Sequence, residues 1–445
     1  MRRIPLLTLA ALLVVSGCTG APKASKKSRE CVKAVSESGK TSGSCLPLAP
    51  RTKRVDLHKP RFGHAGQVTN PLHPTGTLTQ TVYGGREGGK PFRSEVSLVP
   101  QTKTIIWNGQ AISALTSQYF AFSDGRIVEV ALDWYAQADD GSVWYLGEDV
   151  FNYENGALKD NEGSWVAGKQ APPAMIMPAH PRKGAVYRTE NDPPKVFEEV
   201  TVTSTGKTVE GPSGSIPGAI TVDELHLDGS HESKTFAPGY GEFSTGAPGG
   251  EEETAALALP TDVRSGSVPD ELKTFAKTIR RATEAVTAGD WYAADTAADA
   301  VKRAWAEGQP SGVPLRVLRR QTDRDIATLT KAVGKHNEDR ARGALLRISQ
   351  DELDLRSLYQ AVSKTDLARL KMWARQLITD AAAEDAADVS GDAESLRWTL
   401  DRVLPTLGNA QAGKVAKRLA KLRTAAQKKD LAAAATHAEK LLALL

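Results

Sequence analysis

The stretch Asp133–Trp165, DWYAQADDGSVWYLGEDVFNYENGALKDNEGSW, decides the fold. Asp133–Gln137 ends one run with strand character, Ser142–Tyr153 forms a second and Ala157–Trp165 a third. Between them, Asp139-Asp140-Gly141 suits a type I turn followed by a left-handed glycine, and Asn155-Gly156 is a two-residue hairpin signal. Three such runs joined by tight turns are an antiparallel ribbon. The stretch also concentrates three tryptophans, three tyrosines and eight carboxylates against one lysine, so it doubles as the first place to look for chemistry.

Working outward, period-two alternation predicts strands over Thr77–Arg86, Phe92–Val99, Thr102–Trp107, Ile112–Phe122 and Ile127–Gln137. Gly88-Gly89, Pro100, Asn108-Gly109 and Ser123-Asp124-Gly125 separate them. Downstream strands are expected at Ala185–Thr189, Phe197–Ser204, Ser215–Leu227 and Ser233–Phe243. The Pro-rich excursion KQAPPAMIMPAHPRKG is expected to cover one mouth or edge of the sheet. Composition breaks at residues 247–269, which read as a linker. Beyond it alanine and leucine dominate and the period becomes helical. Turns expected near Gly289-Asp290, His336-Asn337, Ser390-Gly391 and Lys429-Asp430 imply four helical hairpins. The predicted fold class is therefore α+β in two domains. Residues 61–246 form an antiparallel curved β-sheet or half-barrel, and residues 270–445 an all-α domain of hairpins.

The amino end gives an address. Arg2 and Arg3 precede an apolar run, Ile4–Val15, that is too short to span a bilayer permanently. Val15-Ser16-Gly17-Cys18 resembles the lipobox of bacterial lipoprotein precursors. The resemblance implies cleavage after residue 17, a lipid on Cys18 and attachment to the outer face of the cell membrane. Residues 18–60 then read as a tether, in which Cys31 and Cys45 are expected to pair as a disulfide in an exported chain. A net charge of +4 that includes Arg2 and Arg3 leaves a near-neutral mature chain, and no basic face favours nucleic acid.

Candidate chemistry centres on the acidic-aromatic ribbon. Alternation puts Asp133 and Tyr135 on one face of their strand and Trp144 and Glu148 on one face of the next. Carboxylates beside flat rings suit a hydroxyl-rich ligand, because rings stack on sugar faces while carboxylates accept from hydroxyls. The turn acids Asp139 and Asp140 invite calcium but lack the spacing of a twelve-residue calcium loop. His226 and His231, in HLDGSHE, are the densest histidine-acid pairing and the candidate metal ligands; His58, His64 and His73 match no zinc spacing. No Gly-x-Ser-x-Gly elbow, His-Glu-x-x-His motif, Walker loop or dinucleotide fingerprint occurs, and no cofactor is expected.

The segments NPLHPTG, KPFRSEVSL, ALDWYAQADDGSVWYLGEDVFNYENG, EGSW, AMIMPAHP and FAPGYGEF, with the tail pieces DLARLKMWARQLITDAAAEDA and GDAESLRWTLDRV, resemble an uncharacterised family of bacterial secreted and lipid-anchored proteins common in actinobacteria. The resemblance carries no reaction and no catalytic residue with it. The expected function is a non-enzymatic, lipid-anchored protein that binds a small ligand, an envelope glycan or a protein partner. An envelope hydrolase using carboxylates such as Asp133 and Glu148 is one alternative. An extracytoplasmic metal-binding protein is the other.

Overall fold

The computed structural model describes residues 30–36, 39–246, 252–308 and 315–445. The expected leader and Cys18 lie outside the described residues. Cys31 and Cys45 are joined by a disulfide. It closes a small hairpin of β1 (Lys33–Val35) and β2 (Thr41–Cys45).

The large sheet is an antiparallel meander. β3 (Gln80–Glu87), β4 (Lys90–Trp107), β5 (Gln110–Ser123), β6 (Arg126–Gln137) and β7 (Val143–Glu154) pair in sequence. The pieces β8 (Ala157–Asp160) and β9 (Trp165–Val166) fold back on β7, and β10 (Ala174–Met177) forms its outer edge. The second meander is β11 (Val186–Asp192), β12 (Val196–Gly211), β13 (Gly214–His226), β14 (His231–Ala237) and β15 (Gly241–Gly246). β16 (Glu252–Leu259) lies between β15 and β3 and joins the two meanders into one sheet of 14 strands. Its edges β10 and β11 lie against each other without a ladder, so the sheet curls almost to a barrel and stays open.

Several boundaries differ from the sequence reading. Pro100 does not end a strand: β4 runs through it with an irregularity between Val99 and Thr102. Ser233–Phe243 divides into β14 and β15, because Gly239 takes positive φ between them and Gly241 does so where β15 begins. Part of the expected linker is strand β16, in the middle of the sheet. Its Ala255, Ala256, Leu257, Ala258 and Leu259 are all buried, so no alternation marks it. Much of the expected tether is also built into the fold. Val32, Leu46 and Leu48 pack on Phe197 and Leu225, covering the outer face of β12 and β13.

Eight helices follow among the described residues: α1 (Asp270–Thr287), α2 (Trp291–Gly308), α3 (Arg316–Val333), α4 (Glu338–Ser357), α5 (Val362–Ala382), α6 (Ala386–Val403), α7 (Asn409–Gln427) and α8 (Leu431–Leu442). The buried positions of α1 (Leu272, Phe275, Ile279, Ala282 and Val286) recur every three or four residues, the stripe that faces a core. Consecutive helices pair as hairpins, and all four turns are alike. A residue in the left-handed region (Gly289, His336, Glu384 or Lys429) is followed by Asp290, Asn337, Asp385 or Asp430, whose side chain caps the next helix. The third turn is thus at Glu384-Asp385, not Ser390-Gly391. Gly391 lies inside α6, where a Cβ would approach the Cα of Gly156 to 3.3 Å; a Cβ on Gly156 would in turn meet the Ala387 carbonyl at 2.0 Å. The paired glycines let the Asn155-Gly156 hairpin seat directly on the helix.

The helices cover the outer face of the first meander. Val82, Leu257 and Leu259 join the core of α1 to α4, and Phe120, Phe122, Ile127 and Val130 join that of α5 to α8. A charge network crosses this interface. Arg93 reaches Glu95 at 2.7 Å and Asp354 at 2.6 Å. Arg369 reaches Asp354 at 2.7 Å and Asp366 at 2.8 Å, and Arg402 reaches Glu95 at 2.8 Å. Three arginines face three carboxylates with nearly all their surface removed from water. No helix among the described residues is long and apolar enough to cross a membrane.

Candidate functional site

The inner face of the curled sheet carries the site. Asp133 and Tyr135 point inward from β6. On β7, however, their neighbours are Glu148 and Tyr145, not Glu148 and Trp144, because the register shifts between Asp133 and Tyr135. The cause is Gly147, held at φ +120°, where a Cβ would sit 2.2 Å from the Trp165 carbonyl oxygen. This bulge places Tyr145 and Glu148, which have opposite parity, on the same face. Trp144 is turned to the other side, buried, with its indole N–H donating to Ser142 Oγ at 2.8 Å. It leaves the candidate set and Tyr145 takes its place.

The Tyr145 hydroxyl donates to Asp133 Oδ1 at 2.8 Å, and its ring stacks on Tyr135 at 4.9 Å. His73, from the loop of residues 70–78, meets Tyr135 edge-on at 4.7 Å. In front of them lies a cavity of about 180 Å³, lined by Asp133, Glu242, Glu253, Tyr83, Tyr119, Tyr135, Tyr240 and His73 together with small hydroxyl and aliphatic groups. Among the described residues, no lysine or arginine lines it. Tyr83 donates to the Glu242 carbonyl at 2.8 Å and Ser94 to Glu253 at 2.6 Å, so the walls are fixed. Burial pushes the Asp133 carboxyl well above its ordinary range, and the Tyr145 hydrogen bond only partly offsets it. Burial and the neighbouring Asp133 charge push Glu148 up as well. Burial, then Glu198 and Glu148, does the same for Glu190, which shares a hydrogen bond with Glu148. Burial lowers His73 to about 4, leaving it neutral with a buried Nε2 that has no partner.

Further round the inner face the balance changes. His226 lies 3.4 Å from Glu198 and 3.7 Å from Glu232. Lys234 lies 2.6 Å from Glu224, 3.8 Å from Glu232 and 3.9 Å from Glu242. Burial opposes the charged ring, but hydrogen bonds to Glu198 and Glu232 raise His226 to about 10. Glu224, His226 and Glu232 could bring one ligand atom each within 4.8 Å of the others. Yet the imidazole is held protonated, and a metal needs it neutral. His231 is not part of this group. It lies on the outer face, 2.8 Å from Asp223, since alternation along β13 and β14 sends His226 and His231 to opposite sides.

The remaining sequence candidates have structural partners. Asp139 accepts from the Gly63 amide at 2.7 Å and Asp140 from Ser142, so these turn acids hold the loop beside them. Asp133 and Glu148 stand side by side on neighbouring strands of one wall. Sequence reasoning missed Glu190, Glu224, Glu242 and Glu253 as members of the site. Their one local signal is a carboxylate at inward-facing parity on its strand. A wider groove of about 750 Å³ between α1, α4 and α5 has an apolar floor and a rim of mixed charge, including Arg280, Glu284, Glu352 and Arg375.

No protein-family model matches the chain, and no curated protein is significantly similar to it.

Proposed function

We propose that the chain is a ligand-binding protein, membership of the lipid-anchored family it resembles included. An acyl chain on Cys18 would hold it at the outer face of a cell membrane, and the curled sheet would take a small polar ligand. The observation that carries this reading is the cavity beside the 70–78 loop, where carboxylates and tyrosine rings converge on one recess. Recognition is favoured over hydrolysis because Asp133 and Glu148 share one wall, whereas glycoside hydrolysis needs acids on both sides of a bond. Metal binding at Glu224, His226 and Glu232 is the second reading, supported by their spacing and opposed by Lys234 and the protonated ring.

Two experiments test the proposal. Native mass spectrometry of the mature protein, as isolated from its own envelope, should show a bound small molecule. Ser117→Trp, which fills the cavity from its β5 wall, should lose it. Identical spectra for the two proteins would overturn the binding reading. Separately, Cys18→Ser should move the protein from the membrane fraction to the medium. Unchanged partition would overturn the lipid anchor.

A further inference from the structure

Residues 409–445 hold eight lysines and arginines against two acids, Asp430 and Glu439, in a chain whose net charge is only +4. α7 itself has no acidic residue, and every other described helix has at least one. On α1, by contrast, Lys273 pairs with Asp270 at 2.8 Å and Arg280 with Glu284 at 3.9 Å. Such interspersed signs are what an ordinary solvated helix face carries. From the unbalanced hairpin of α7 and α8 we infer an interaction surface for a linear polyanion, an unbranched chain with phosphates in its backbone, laid along α7. This surface is separate from the cavity and owes nothing to it.

Helical spacing builds the face. Val415, Leu419, Leu422, Ala425 and Ala426 turn into the bundle. Lys414, Lys417, Lys421 and Lys428 follow one another at intervals of three, four and seven residues, so they stand in one row turned away from it, all exposed. The row is roughly 20 Å long. The two arginines of α7 are already engaged. Arg418 donates to His437 Nδ1 at 3.0 Å, and Arg423 meets Glu394 at 2.7 Å, the one ion pair that α7 makes among the described residues. The lysine row is therefore left to an outside partner.

A recess lies beside the row. Between α7 and α8 a hollow of about 430 Å³ is lined by Lys417, Lys421, Lys428 and His437 over two alanines. Its one acid, Asp430, is occupied in capping α8, accepting from the Ala433 amide at 3.0 Å. Burial, then the charges of Arg418, Lys440 and Lys421, lower the His437 pKa, as a positive local field requires.

Two other partners fit less well. None of the large apolar side chains that stand exposed lies on α7 or α8, so the face has nothing to insert into a membrane. Residues 409–445 contain no Phe, Tyr or Trp, so the bases of a nucleic acid would find no ring to stack on, whereas backbone phosphates need only the lysines.

The test titrates the full mature chain, carrying Cys18→Ser so that no acyl anchor contributes, with long inorganic polyphosphate at stepped salt. Oligothymidine and phosphatidylglycerol vesicles are titrated beside it. Polyphosphate should bind most tightly, and the logarithm of its affinity should fall with the logarithm of salt at a slope of about −3, as four neutralised phosphates imply. Lys414→Gln, Lys417→Gln, Lys421→Gln and Lys428→Gln together should cost about tenfold or more and flatten that slope, with the melting temperature unchanged. Lys421→Gln alone should cost about twofold. Lys277→Gln, Lys302→Gln, Lys331→Gln and Lys335→Gln together remove the same charge from exposed sites elsewhere in the helical region and should cost less than about threefold. No binding of polyphosphate, or equal losses in the two fourfold variants, overturns the inference. Tighter binding of vesicles overturns it in favour of a membrane contact, and tighter binding of oligothymidine in favour of a surface that reads bases. None of these outcomes touches the cavity, which the native mass spectrum tests by itself.

Discussion

Two sets of buried carboxylates occupy opposite faces of the same sheet. On the outer face, Glu95 sits among Arg93, Arg369 and Arg402, and each arginine is shared with a helix carboxylate. On the inner face, Asp133, Glu148 and Glu190 have hydrogen bonds to tyrosine and to one another, but no lysine or arginine among the described residues forms an ion pair with them. The pKa directions follow. Although burial works against ionisation, Arg369, Arg402 and Arg93 hold Glu95 far below the ordinary range. The inner acids are driven upward by burial and mutual repulsion. The outer cluster is therefore a fastening between sheet and helices, and the inner one is a group of acids that burial holds back from ionising.

The contrast can be broken most forcefully at Arg369. Arg369→Ala should destabilise the protein by about 3–5 kcal/mol in urea unfolding, because Asp354 and Asp366 stay buried with too little positive charge. A loss under about 1 kcal/mol would mean the outer network is not a fastening.

Stability against pH should show the two clusters pulling in opposite directions. Glu95, with its folded pKa depressed, contributes stability above about pH 4 that is lost on acidification. Burial, aided by Asp133, lifts Glu129 to about 7, and Asp133 is lifted by burial too; their contribution is full below about pH 4 and fades as pH rises toward 7. Thermal unfolding of the free protein should peak in mildly acidic solution and lose on the order of 2 kcal/mol by neutrality. A profile rising monotonically to pH 8 would contradict the inner assignment.

A smaller effect of opposite sign is expected at Glu148. Glu148→Gln keeps the shape, removes a repelled charge, and should gain about 1 kcal/mol at pH 8. A loss would show that the carboxylate is needed for folding. The next residue provides the control. Asp149 points outward, nearly half exposed, and its one ion pair among the described residues is with Lys103 at 4.0 Å, so Asp149→Asn should move stability by less than about 0.5 kcal/mol.

The strands and turns were largely legible because alternation and left-handed residues are local properties. Asn108, Asp124 and Asn155 all take positive φ before a glycine, as the turn signals required. The site was legible in part. Asp133, Tyr135 and Glu148 converge as alternation within the ribbon suggests. Trp144 was exchanged for Tyr145 by a bulge that depends on how closely β9 approaches Gly147, a contact no neighbouring residue encodes. Glu242 and Glu253 reach the cavity only because β15 and β16 close the second meander onto the first. His231 failed as a ligand for a simpler reason: a hairpin can bring two residues close in register and still set them on opposite sides.

β16 is the seam of the architecture. Its two flanks, β3 and β15, lie far apart in sequence, and without this strand each would present a bare row of amides. A truncation ending at residue 246, where composition invites a boundary, would leave a split sheet with two sticky rims. Such a fragment should associate edge to edge, whereas one extended through Leu259 would have its seam stitched shut.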